Sequence, residues 1–126
     1  MKPDEMILRG VLDAWQRAID EHQPERVADT FTEDALFQGL RPYSVGRPGI
    51  AEYYAGQPTG MKVTYHVRET RRLADDVLLG WVAAEFTFAE PERPPIPVDL
   101  TVVLSRAGGT WRIGHYHVSR GLTTPG

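Results

Sequence analysis

The hydrophobic pattern changes its period at Gly60, and few folds accommodate that change. Before Gly60, apolar residues recur every three or four positions. Leu8, Val11, Leu12, Trp15, Ile19 and His22 form one stripe of a helix of about five turns starting at Pro3-Asp4. Pro24 opens a shorter second helix with Val27, Ala28 and Phe31 inward, stopped by Thr32 to Asp34. A short strand is predicted over 35–38 and a loop over 39–46. Gly46-Arg47-Pro48-Gly49 then starts a third helix, with Ile50, Tyr53 and Tyr54 on its apolar side. After Gly60 the period falls to two. Long strands are predicted over 61–73, 77–89, 98–106 and 110–119, joined by Asp75-Asp76, a Pro-rich loop and Gly108-Gly109. Helices first and a strand meander afterwards give an α+β layer fold, with three N-terminal helices on one face of a strongly curved antiparallel sheet.

The tight turns allow the strands to be registered. With Gly108-Gly109 as a two-residue hairpin turn, Leu104 lies opposite Ile113, Val102 opposite His115, and Leu100 opposite His117. Opposed residues share a face, so His115 and His117 are expected on the apolar, concave side. A turn at Asp75-Asp76 likewise puts Val63 by Phe88, Tyr65 by Phe86 and Val67 by Ala84. On the opposite face it pairs His66 with Glu85 and Thr64 with Thr87. A slip of one residue in either hairpin exchanges the two faces.

Composition excludes several function classes. The chain has 126 residues, enough for one domain, here read as 1–126 with a frayed tail over 121–126. Its net charge of -3 is spread along the sequence, which leaves no footprint for nucleic acid. With no cysteine, disulfides, thiolate nucleophiles and cysteine metal sites are excluded. No apolar run approaches the roughly 20 residues of a membrane span, and the acidic MKPDEM start is unlike a signal peptide. The expectation is a cytoplasmic protein without cofactor or membrane contact.

The element order, VGRPGIAEYY at the third helix and GGTWRIGHYHVS at the end resemble the nuclear transport factor 2-like superfamily, the cystatin-like cone. Within it, Trp111, His115, His117 and Ser119 match the Trp-x-x-x-His-x-His-x-Ser ending of the SnoaL-like proteins and of the calcium/calmodulin-dependent kinase II association domain. The resemblance implies an apolar pocket under the helices and a homodimer through the convex sheet face. Because the superfamily includes isomerases, cyclases, dehydratases and members without activity, the fold does not choose among them.

The face assignments predict a concave lining of Trp15, Phe31, Phe37, Tyr53 and Tyr54 from the first half of the chain. Tyr65, Phe86, Leu100 and Val102 complete it from the strands. A small apolar ligand would suit such a container. His115 and His117 inside it would act as base and acid, since an unperturbed imidazole titrates near pH ~6.5, with Tyr65 orienting a substrate. The plainer readings are a structural histidine network and ordinary aromatic packing. A metal is disfavoured because no third ligand falls on that face. Asp99 and Glu85 fall on the convex face, and Trp15 and Phe37 or Gln38 stand where the ketosteroid isomerase pattern has a tyrosine and a carboxylate. Three classes of function stay open: acid/base chemistry on a cyclic or polyketide-like metabolite, non-catalytic ligand binding, and assembly. The expected dimer face carries His66, Thr64, Trp81, Glu85, Thr87, Thr101 and Val103, with Trp81 the indole that most needs cover.

Overall fold

A computed structural model describes residues 2–40 and 43–121. Helix α1 (Pro3–Asp20) buries Leu8, Val11, Leu12, Trp15, Ala18 and Ile19, the stripe the spacing predicts. It ends in a Schellman arrangement: Gln23 N–H donates to the Ala18 carbonyl at 2.9 Å and His22 N–H to that of Ile19 at 3.0 Å. His22 therefore closes the helix through its backbone, at φ 52°.

Helix α2 (Pro24–Asp29) stops before Phe31, which instead begins strand β1 (Phe31–Gln38). Pairing with the last strand captures it: Ile113 N–H donates to the Thr30 carbonyl at 2.8 Å, and Phe31 is opposite Ile113. Strand β2 (Tyr43–Val45) lies within the segment expected to be loop and pairs with the end of β1. Three residues are too few to display a period. Helix α3 (Arg47–Ala55) follows Gly46, and the long strands are β3 (Lys62–Ala74), β4 (Val77–Thr87), β5 (Ile96–Ala107) and β6 (Thr110–Arg120). The tail expectation falls on residues 122–126, outside the described residues, while Gly121 N–H still donates to the Pro97 carbonyl at 2.9 Å.

The six strands form one curved, unclosed sheet in the order β2-β1-β6-β5-β4-β3. All neighbours are antiparallel except β1 and β6, which run parallel, so the sheet is mixed rather than wholly antiparallel. The helices cover its concave face, and α1 sits directly on the strands. A Cβ on Gly80 would meet Leu8 Cδ2 at 2.7 Å, so glycine at this point sets how closely helix and sheet approach.

Bulges decide which side chains face the helices. Between β3 and β4 there are two, at Val67/Glu69 and Arg72/Ala74. Together they move the pairing by two residues, bringing Val63 opposite Phe86, Tyr65 opposite Ala84 and His66 opposite Ala83. The partners differ from those expected, but an even shift leaves each residue on its expected face. Between β5 and β6 there is one bulge, at Gly114: Leu104 pairs with Ile113, but Val103 pairs with His115. An odd shift exchanges the faces of everything after it.

Candidate functional site

The exchange at Gly114 puts Tyr116 and Val118 inside and His115 and His117 outside. Tyr116 is 2% exposed, whereas both histidines are exposed. His115 lies opposite Val103 and beside Leu36; His117 lies opposite Thr101 and beside Gln38. The expected acid/base pair is therefore absent from the concave side, and the prediction of His115 facing Val102 and His117 facing Leu100 is corrected. Tyr116 faces Val102 and Val118 faces Leu100 instead. The imidazole rings stack at 6.3 Å and 19° across the convex surface. Among the described residues, no group of three or more His, Cys, Asp or Glu side chains is placed to hold a metal.

The expected lining is packed as a core. Trp15, Phe31, Leu100 and Val102 have no exposure, and Phe37 and Tyr54 have almost none. Phe37 stacks on Tyr116 at 4.6 Å and 10°, while Trp15, Phe31 and Tyr54 meet these two rings at 5.8–6.2 Å. Phe86 is half-buried with its ring 6.3 Å from that of Trp15. Inside this cluster the Tyr54 hydroxyl accepts from Trp15 Nε1 at 3.4 Å and interacts with the neighbouring Tyr116 phenol. Burial, the largest effect, pushes both phenols well above the ordinary tyrosine range, so they stay neutral donors and acceptors.

Tyr65 keeps its concave face but turns toward solvent at the rim. Its hydroxyl donates to Asp13 Oδ1 on α1, and desolvation followed by that carboxylate raises its pKa. It shares no site with the histidines. Asp99 is convex as expected, bound by Arg68 Nη1 at 2.8 Å, and Arg68 also lies over the Trp81 ring at 5.4 Å.

Two surfaces remain that can engage a partner. One is the convex sheet face, where Leu36 is 50% exposed, Val45 60%, Tyr43 75% and Trp81 44%. Pair by pair, these residues are joined by half-buried Leu79 and Val103 and by the two histidines. The other is a groove of about 760 Å³ at the ends of the strands. Its walls are the end of β1 (Gln38), Tyr53 of α3 with Gln57 just beyond that helix, Arg93 of the β4–β5 connection, Ile96 at the start of β5, and the end of β6 (His117, Val118, Ser119, Arg120). Of the residues expected to line a pocket, Tyr53 and His117 reach this opening, His117 from the convex side. Burial raises the pKa of Tyr53, and its ring lies 5.1 Å from that of Phe37.

The family model of the SnoaL-like domain matches residues 8–123 of this chain. The chain belongs to the SnoaL-like family. Solved structures agree on the fold at low identity. A cystatin-like domain of unknown function from Nostoc punctiforme superposes with a TM-score of 0.84 at 19% identity, covering 98% of this chain and 80% of that one. A ketosteroid isomerase-like protein from Erwinia carotovora atroseptica gives 0.80 at 20%, covering 99% and 100%. A Xanthomonas campestris protein named for the calcium/calmodulin-dependent protein kinase II association domain gives 0.80 at 21%, covering 93% and 87%. No curated protein matches the sequence. In this SnoaL-like chain the residue that sequence reasoning missed is Tyr116, read as convex yet lodged among the core rings. Its signal was Gly114, since a glycine inside a strand often marks a bulge.

Proposed function

We propose that this SnoaL-like domain is a non-catalytic, homodimeric assembly module whose two copies meet through the convex sheet face. The observation that carries the reading is the cluster of Trp81, Leu36, Val45 and Tyr43, large apolar side chains exposed together on one sheet face. Exposed aromatic and aliphatic groups gathered on one surface mark interaction sites, whereas scattered ones do not. The area is also adequate. Four long strands spaced ~4.8 Å apart, each about 36 Å long, present roughly 700 Å². A standard interface takes ~800 Å² from each partner. Arg68 lies over the Trp81 ring and neutralises Asp99, so the indole is backed by a paired guanidinium. A similar fold named for a kinase association domain is consistent with assembly as the use of this surface.

The acid/base alternative on a polyketide-like metabolite loses its pairing of two imidazoles, because His115 and His117 stand on the face opposite the aromatic lining and only His117 reaches the groove. A Trp81→Glu variant places a charge in the middle of the proposed contact. Sedimentation velocity should then give a monomer with an unchanged circular dichroism spectrum, against a dimer for the parent. A parent chain that sediments as a monomer at micromolar concentration defeats the proposal.

A further inference from the structure

The strand-end groove has a chemistry of its own, and it meets the convex face at His117 and Ser119, which belong to its wall. Two guanidinium groups, Arg93 and Arg120, belong to its wall, and among the described residues no carboxylate does. Arg93 is held in place rather than consumed: its guanidinium lies 3.8 Å over the Phe88 ring, and its ion pair with Glu90 spans 3.8 Å, too long for a hydrogen bond. Arg120 pairs by backbone with Val98, whose side chain is in the core, so Arg120 leaves the strand on the concave side. No ion pair occupies it among the described residues.

The wall also carries apolar Ile96, Val118 and Leu40 beside polar Gln38, His117 and Ser119. Tyr53 presents a neutral phenol with no hydrogen-bond partner among the described residues. Gln57 spends one amide N–H on the Tyr53 carbonyl at 3.3 Å and keeps the other. A volume near 760 Å³ falls within the usual ~300–1,000 Å³ of small-molecule sites.

We infer that this groove binds a small monocarboxylate with an apolar body, its carboxylate taken by Arg93 and Arg120 and its body laid against Ile96 and Val118. Guanidinium is the group suited to a planar carboxylate because its paired N–H donors match the two oxygens. The neutral phenol of Tyr53 supplies a further donor without adding charge.

Sodium benzoate is the probe, with benzamide as its neutral counterpart at matched ionic strength. The full ¹⁵N-labelled chain is titrated with each and followed by amide chemical shifts. Saturable shifts at Gln57, Ile96 and Val118 are expected with benzoate, and about tenfold weaker binding with benzamide. Arg93→Ala/Arg120→Ala should erase the difference between the two probes while keeping the spectrum folded. Tyr53→Phe should weaken benzoate several-fold. Equal affinity for both probes, no saturable shift at these amides, or benzoate binding unchanged in the double-arginine variant would each overturn the inference.

Discussion

Replacing Tyr116 by alanine tests which face of the last strand looks inward. The ring is 2% exposed, stacks on Phe37 at 4.6 Å and meets Phe31 and Trp15 at 5.9 and 6.2 Å. Truncating a large buried aromatic costs about 3–5 kcal/mol, from lost transfer energy and from the cavity left behind. Removal also takes away the hydroxyl that neighbours Tyr54, deep in the core. Unfolding entropy of about 2.1 cal/mol/K per residue gives about 0.26 kcal/mol/K for a chain of this length, so Tm should fall by about 11–19 °C. Tyr116→Phe, which removes the hydroxyl alone, should cost about 1 kcal/mol. His115→Ala and His117→Ala should each stay within about 0.5 kcal/mol, as exposed positions do. All variants are compared in a Trp81→Glu background, so that association does not enter the melting temperature. Calorimetry or urea titration measures the set. If the histidine substitutions prove as damaging as Tyr116→Ala, the bulge at Gly114 is misplaced and the argument built on it falls.

Two further perturbations follow from the same packing. Gly80→Ala drives a methyl into Leu8 at 2.7 Å and should cost about 1–3 kcal/mol by forcing α1 off the sheet; combined with Leu8→Ala it should cost less than the sum of the two single changes in a double-mutant cycle. The alkaline limb of stability should reflect the raised pKa values of Tyr53, Tyr54, Tyr65 and Tyr116, each caused first by desolvation. Their folded pKa lies above the unfolded value near ~10, so their stabilisation is complete below pH ~10 and is lost as pH rises beyond it. Phenolate absorbance at 295 nm for these rings should appear together with loss of the circular dichroism signal. Titration of all five tyrosines near pH 10 with the fold intact would refute this.

Much of the architecture was legible because it rests on long repeated signals. The α1 stripe, Pro24 and Pro48 at helix starts, and Gly108-Gly109 at φ 59° and 80° each state a local preference that the tertiary structure keeps. Phe31 and β2 were not legible. Phe31 obeys its pairing with Ile113 rather than its helical spacing, and Tyr43–Val45 is too short to carry a pattern. The site turned on parity. Two bulges between β3 and β4 cancel, so Tyr65, Thr64 and His66 kept their faces. One bulge at Gly114 does not cancel, and it moved both histidines from the candidate cavity to the candidate interface. The alternation that made His115 and His117 conspicuous is real on either side of Gly114, but the glycine sets its phase.

The most direct test of the account is the mass of the intact chain by sedimentation equilibrium at micromolar concentration and neutral pH. Assembly through Trp81, Leu36, Val45 and Tyr43 predicts a particle of twice the 14.1 kDa chain. A single 14.1 kDa species across that range would contradict it.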